Sequence, residues 1–206
     1  MCSNSVEYQG DGWGYACLKD GNWKSHTFLD PIWNSNPFPK EQTTWLLVHA
    51  RSAFESYEVE LEFNMPFGDQ NTQFLFNGEI HGVRINVPGT TGAQKIFNLT
   101  KKMFRGDWQK ALQRTVGVIK KRSRYLKASN IFLVSDETLW GATFFSENPD
   151  YFSLWKHERS DCRIICSGRL DGFETWESIP NNSFFKMEAG TLQISAGEPN
   201  SVHSLD

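Results

Sequence analysis

The run Phe74-Leu75-Phe76-Asn77-Gly78-Glu79-Ile80 constrains this chain more than any other stretch. Three large apolar residues in a row read as a buried strand. They stop on Asn-Gly, the dipeptide that most readily accepts positive φ, so the pattern predicts a strand driven into a sharp turn at Asn77-Gly78. Upstream, Trp45-Leu46-Leu47-Val48-His49-Ala50-Arg51 is a second apolar run that closes on polar residues. Its near-continuous hydrophobicity predicts a strand covered on both faces.

Other elements follow from period and turn chemistry. Residues 15–18 and 23–28 read as two strands joined at Asp20-Gly21, a hairpin signal. Residues 30–41 carry three prolines and two asparagines and read as a loop. Residues 57–63 alternate strictly, which predicts a half-buried strand whose glutamates face water and protect an exposed edge. After Pro88-Gly89, Ala93, Ile96, Phe97, Thr100 and Met103-Phe104 recur at helical spacing, as do Trp108, Ala111, Leu112, Thr115 and Ile119. Two amphipathic helices are expected, parted near Arg105-Gly106-Asp107, with Asp107 capping the second.

The basic run Lys120-Lys121-Arg122-Ser123-Arg124 closes that second helix, where cations are favoured. Without interleaved aromatics on a basic surface it reads as a solvated helix end, not a nucleic-acid contact. From Asn130 onward short strands are expected at 131–135, 138–145, 151–157, 162–167, 183–187 and 191–195, with turns at Asp136-Glu137 and Ala189-Gly190. The polar residues 197–206 read as a frayed tail. Strands, two helices, then strands is an α+β order, and 206 residues suit a single domain, 1–206.

Composition removes several classes of function. A formal net charge of −3 offers no field to draw nucleic acid or a membrane surface, and no apolar run approaches the ~20 residues of a membrane span. The polar, glycine-rich start predicts no signal peptide. Four scattered cysteines fit a reducing, cytoplasmic setting, and Cys162 and Cys166, four apart in an apparent strand, read as small core residues sharing one face. His26, His49, His81, His157 and His203 lack metal-ligand spacing. Neither a P-loop nor a Gly-x-Ser-x-Gly elbow occurs, and Gly10, Gly12 and Gly14 lead into a strand without dinucleotide-fingerprint spacing. No cofactor is expected.

Five pieces in one order carry a more specific message: Met1-Cys2, Asp11-Gly12-Trp13-Gly14, His49-Ala50-Arg51, Pro66-Phe67 and Asn77-Gly78. Together they resemble the glutaminase domain of class-II glutamine amidotransferases, a branch of the N-terminal-nucleophile hydrolases. Ile165-Cys166-Ser167, Trp176-Glu177-Ser178-Ile179-Pro180 and the final strand resemble the closing segment of that family, so the likeness runs over most of the chain. It implies a four-layer αββα sandwich, two antiparallel sheets packed face to face between helices.

The resemblance also implies a chemistry. Cys2, freed of Met1, supplies the attacking thiol, and its α-amino group, with a pKa near ~8, handles the proton. The Asn77 side-chain amide and the Gly78 N–H form the oxyanion hole. Arg51, next to His49, pairs with the α-carboxylate of glutamine, a task suited to a planar guanidinium. The products are glutamate and ammonia, formed through a γ-glutamyl thioester. No acceptor domain follows, so ammonia is either released or passed to a separate subunit.

Three features depart from the family pattern. Eight residues separate Cys2 from Asp11, where the family places a strand and a helix of roughly 25 residues. Two readings stay open: loss of that first unit, or a true start upstream that makes Met1-Cys2 a coincidence. Phe76 stands where the family has His before Asn-Gly. Gly92, in Thr90-Thr91-Gly92-Ala93, stands where it has the Asp that binds the α-ammonium of glutamine. Glu79 is the nearest alternative carboxylate in the sequence. The competing function is a catalytically silent relative that binds a ligand or a partner protein.

Overall fold

The computed structural model describes residues 5, 7–34, 42–53, 60–188 and 191–197. The first hairpin pairs β1 (Trp13–Lys19) with β2 (Asn22–Phe28), and Asp20 and Gly21 both adopt the positive φ that a two-residue turn demands. A short 3-10 turn (Ile32–Asn34) follows, and β3 (Leu46–Ala50) returns to the other edge of β1. After a second 3-10 turn (Leu61–Phe63) come β4 (Phe67–Gly68) and β5 (Thr72–His81).

The two amphipathic segments are α1 (Gly92–Met103) and α2 (Trp108–Arg122). Thr91 caps α1 in a reciprocal box with Gln94, and Asp107 caps α2 by accepting the Lys110 N–H at 3.0 Å, as its sequence position predicts. β6 (Tyr125–Ser135) and β7 (Thr138–Thr143) form a hairpin over Asp136 and Glu137. One helical turn, α3 (Pro149–Phe152), precedes β8 (Leu154–Glu158), β9 (Arg163–Cys166), β10 (Glu177–Ile179), β11 (Ser183–Glu188) and β12 (Thr191–Ala196).

The result is an α+β sandwich of two antiparallel β layers flanked by helices. One layer is a six-stranded sheet, β12-β11-β7-β6-β5-β4, and the other consists of two three-stranded sheets, β2-β1-β3 and β10-β8-β9. α1 and α2 cover one face of the six-stranded sheet, burying Phe74, Phe76, Ile131 and Leu133 beneath Ile96, Phe97, Leu112 and Ile119. The opposite face packs Val134, Leu139 and Phe185 against Ala16, Leu18, Trp23 and Leu47 of one small sheet and Leu154 and Ile179 of the other. Side chains of β5 therefore alternate between a helix-facing core and the seam between the β layers.

Several expectations change. β5 does not turn at Asn77-Gly78: it runs on to His81, pairing Asn77 with Asn130 and Gly78 with Ser129, and bulges only between Glu79 and Ile80. The first positive φ comes at Gly82. Gly78 is needed for a different reason, since a Cβ there would lie 2.3 Å from the Ala128 carbonyl oxygen. β3 is an edge strand covered on one face only, with Leu46 and Val48 49% and 38% exposed. Of the alternating segment 57–63, residues 57–59 lie outside the described residues, and Leu61–Phe63 is a 3-10 turn, not a strand.

Residues 151 and 152 close α3 instead of opening a strand. Cys162 precedes β9 and Cys166 ends it, both half-buried, with the Cys166 thiol donating to the Gly168 carbonyl at 2.9 Å. The Ala189-Gly190 turn and residues 198–206 of the tail lie outside the described residues.

The two glycines that bracket this region predict opposite responses. Gly78→Ala forces backbone apart and is expected to cost about 2 kcal/mol. Gly92→Ala meets open space at the first position of α1 and is expected to add about 0.5 kcal/mol by restricting the unfolded chain. Urea denaturation midpoints of the two variants check both signs.

Candidate active site

Inward-facing residues of β3 and β5 meet at the seam between the β layers. Leu47 of β3 is buried in that seam, so His49 and Arg51, two and four residues on, face the same way. The backbone of Arg51 is locked onto the Asp11-Gly12 loop: its N–H donates to the Gly12 carbonyl at 2.9 Å, and its own carbonyl accepts the Asp11 N–H at 3.1 Å. Asp11 Oδ2 in turn accepts the Ala53 N–H at 2.8 Å. This loop and the end of β3 form one rigid corner.

The Arg51 side chain is buried, 8% exposed, with its guanidinium carbon 5.7 Å from the centroid of the Phe63 ring. Burial pulls its pKa down, opposed by the charge of Asp11. Nη1 has no hydrogen-bond partner among the described residues, and the same holds for Asn64 Oδ1 and His49 Nδ1. Asn64 spends its amide on the Phe28 carbonyl at 2.8 Å. Buried polar atoms left unpaired are costly, and a ligand able to pair with these three would relieve that cost.

His49 ties the corner to β5 by donating a ring N–H to the Phe76 carbonyl. The Phe76 N–H donates to Met65 Sδ at 3.2 Å. The peptide edge at Phe76 therefore faces away from β6. Two residues on, strand parity turns the Gly78 N–H to that same edge, where β4 no longer runs, because it pairs only with Gln73 and Phe74. Asn77 projects into the seam with Leu75, and its side chain makes no hydrogen bond among the described residues. The Asn77 amide and the Gly78 N–H thus follow directly on the Phe76 carbonyl that His49 engages.

The remaining candidates fall differently. Cys2 lies outside the described residues. Phe76, in place of the expected His, points into the helix-facing core and not into the seam, so a polar group there would not line the site. Glu79 is engaged by Lys127 at 2.7 Å and His81 at 2.8 Å and sits apart from Arg51. Gly92 is the first residue of α1, as the motif alignment predicts, and that helix start is held to the Phe63 turn by Gln94 donating to the Glu62 carbonyl at 3.2 Å.

The sequence reading missed Asn64 and Asn130. Asn130 is the most legible in retrospect: a lone amide inside the apolar run of β6, fully buried, directly opposite Asn77.

No family model matches the sequence, and no curated protein does. Solved structures do match. A glutamine aminotransferase class-II domain protein from Silicibacter pomeroyi superposes with a TM-score of 0.69 at 16% identity, over 91% of this chain and 92% of that one. A predicted glutamine amidotransferase from Pseudomonas aeruginosa PA01 superposes at 0.60 and 16% identity, over 88% and 86%. Glutamine phosphoribosylpyrophosphate amidotransferase from B. subtilis gives 0.69 at 12% identity, over 93% of this chain but only 44% of its own length. At such identities the likeness establishes the fold alone: this chain has the α+β sandwich of the superposed amidotransferase-domain structures.

The buried imidazole makes a testable mark on stability. Desolvation, partly offset by the bond to Phe76 and reinforced by Arg51, lowers the His49 pKa from 6.5 to about 4. Between those values the unfolded chain binds a proton that the folded chain refuses. Stability is therefore full above pH 6.5 and falls as the pH drops toward 4. Urea midpoints measured from pH 7 to 5, above the range where lowered carboxylates titrate, are expected to decline in the native chain and to stay flatter in His49→Gln.

Proposed function

We propose that this domain hydrolyses a carboxamide, glutamine being the first substrate to test, by the class-II amidotransferase route. What supports the reading is a buried Arg51 with an unpaired Nη1 at the end of β3, joined through His49 to the Phe76 carbonyl of β5, with Asn77 and Gly78 next along that strand. The amidotransferase-domain fold of the superposed structures supports it.

In this reading the Cys2 thiol, its proton taken by the α-amino group, attacks the amide carbon. The oxygen gains negative charge and is held by Asn77 and the Gly78 N–H. The C–N bond breaks as the proton passes to nitrogen, ammonia leaves, and a thioester remains. Water attacks the thioester, the C–S bond breaks, and the acid and the free thiol are restored. Arg51 Nη1 anchors the substrate carboxylate. The α-ammonium has His49 Nδ1 and Asn64 Oδ1, both unpaired among the described residues, as neutral acceptors in this reading. No cofactor enters these steps. Whether ammonia is released or taken by a separate subunit is a property of the partner.

A second reading, a silent domain that uses Arg51 to hold a ligand or partner carboxylate, draws on two observations. Gly92 places no carboxylate at the start of α1, and Arg51 is nearly closed to solvent. Intact-mass analysis after incubation with a glutamine-like diazoketone separates the two. The hydrolase reading expects a chain lacking Met1 and carrying one adduct, absent in Cys2→Ala; an unmodified chain retaining Met1 supports the silent reading. Where labelling occurs, Gly92→Asp is expected to lower the half-saturating concentration about tenfold, since a carboxylate at a helix start is tolerated and pairs with an ammonium.

A further inference from the structure

The formal net charge of −3 hides a segregation of sign. Residues 84–124, which comprise α1, α2 and their flanks, hold eleven lysines and arginines against a single acid, Asp107. The rest of the chain holds ten against twenty-three. Helix surfaces ordinarily interleave both signs, because a glutamate four residues before a lysine stabilises the helix. Here neither helix contains an acidic residue. Among the described residues this layer holds one ion pair, Lys110 with Asp107 at 3.4 Å.

The helix dipole accounts for part of this charge. Lys101 and Lys102 end α1, and Lys120, Lys121 and Arg122 end α2, where cations are favoured. It does not account for Lys110, in the first turn of α2, or for Arg114 in its middle. Lys110, Arg114 and Lys121 are all exposed and share one stripe of α2. Arg114 Nη1 donates to the Met103 carbonyl at 3.3 Å, which joins this stripe to the cationic end of α1. Gly117 lies on the same stripe, three residues after Arg114 and four before Lys121. A glycine in mid-helix weakens the helix. No described neighbour requires one, since a Cβ there would meet nothing. It leaves a notch beside half-buried Val118, at the centre of the cations, where an outside backbone can come close.

We propose that the outer face of α2 docks an acidic helix of a partner protein, which crosses at Gly117 and sets its carboxylates on Lys110, Arg114 and Lys121. Opposite charge recruits such a segment, and a small residue at the crossing lets two helix axes approach to about 8–10 Å. Lys110 and Lys121 stand about 16 Å apart along the axis, a span that three turns of a partner helix match. Other polyanions fit this face less well. Base stacking needs open aromatic faces, and Phe104 and Trp108, at the turn between the helices, are stacked on each other at 4.0 Å. A membrane surface needs apolar side chains to insert, and Ile96, Phe97, Leu112 and Ile119 are turned into the sheet. The proposal is independent of the hydrolase reading.

The test is fluorescence anisotropy of the full chain with a labelled, glutamate-rich helical peptide of about 20 residues. Duplex DNA and phosphatidylserine vesicles are the alternative anions. Saturable peptide binding is expected, weakening as salt rises from about 50 to about 300 mM. The double variant Lys110→Glu, Lys121→Glu is expected to raise the Kd about tenfold, because two attractions become repulsions. Gly117→Leu is expected to raise it about fivefold at unchanged charge, because the side chain fills the notch. Leucine is also the better helix former, so this variant carries the comparison if the charge reversal disturbs folding. Absence of salt-dependent peptide binding overturns the proposal, as does a native Kd in Gly117→Leu. Tighter binding of the duplex or the vesicles than of the peptide overturns it as well.

Discussion

The double burial of β5 and β6 is the constraint on which everything else depends. One face puts Phe74, Phe76, Ile131 and Leu133 under two helices, and the other puts Leu75, Phe132 and Val134 against the small sheets. Fully burying one such side chain stabilises by roughly 1.5–3 kcal/mol. These seven, five buried and two partly so, hold the ladder too firmly for a polar residue within it to relocate. Asn77 and Asn130 are therefore kept in the seam by their apolar neighbours, and the polar chemistry is positioned by hydrophobic packing.

The seam is also where the fold tolerates cost. His49 loses its charge there, and Arg51, Asn64 and His49 each hold an unsatisfied polar atom. Each such atom forfeits the water bonds it had in the unfolded chain. A carboxylate offered to Nη1, with donors offered to Nδ1 and Oδ1, would remove all three penalties together. The corner stays in place because backbone bonds between Asp11-Gly12 and Arg51, not the side chains themselves, secure it.

Local signals were legible where local physics decides. Asp20-Gly21, the helical spacing of α1 and α2, and the Asp107 cap all appear where the sequence places them, since each is set by φ preference, periodicity or one hydrogen bond. Three readings failed for a common reason. Asn77-Gly78 carries turn chemistry but is extended, because β6 offers it a ladder and Ala128 leaves no room for a Cβ. The strand period of residues 57–63 does not survive at Leu61–Phe63, where the chain turns toward β4. The apolar β3 lies at a sheet edge with one face open. In each case a neighbour, or its absence, overrode a local preference.

The sequence by itself determined the first hairpin, the two-helix insertion and the helix caps, because side-chain period and turn chemistry are written along the chain. Tertiary structure alone decided that Phe76 belongs to the helix-facing core, that Glu79 is occupied by Lys127, and that Asn130 is buried opposite Asn77. Those assignments depend on which face of a strand meets which partner. That is settled by the parity of pairing between segments far apart in the chain, which no local pattern encodes.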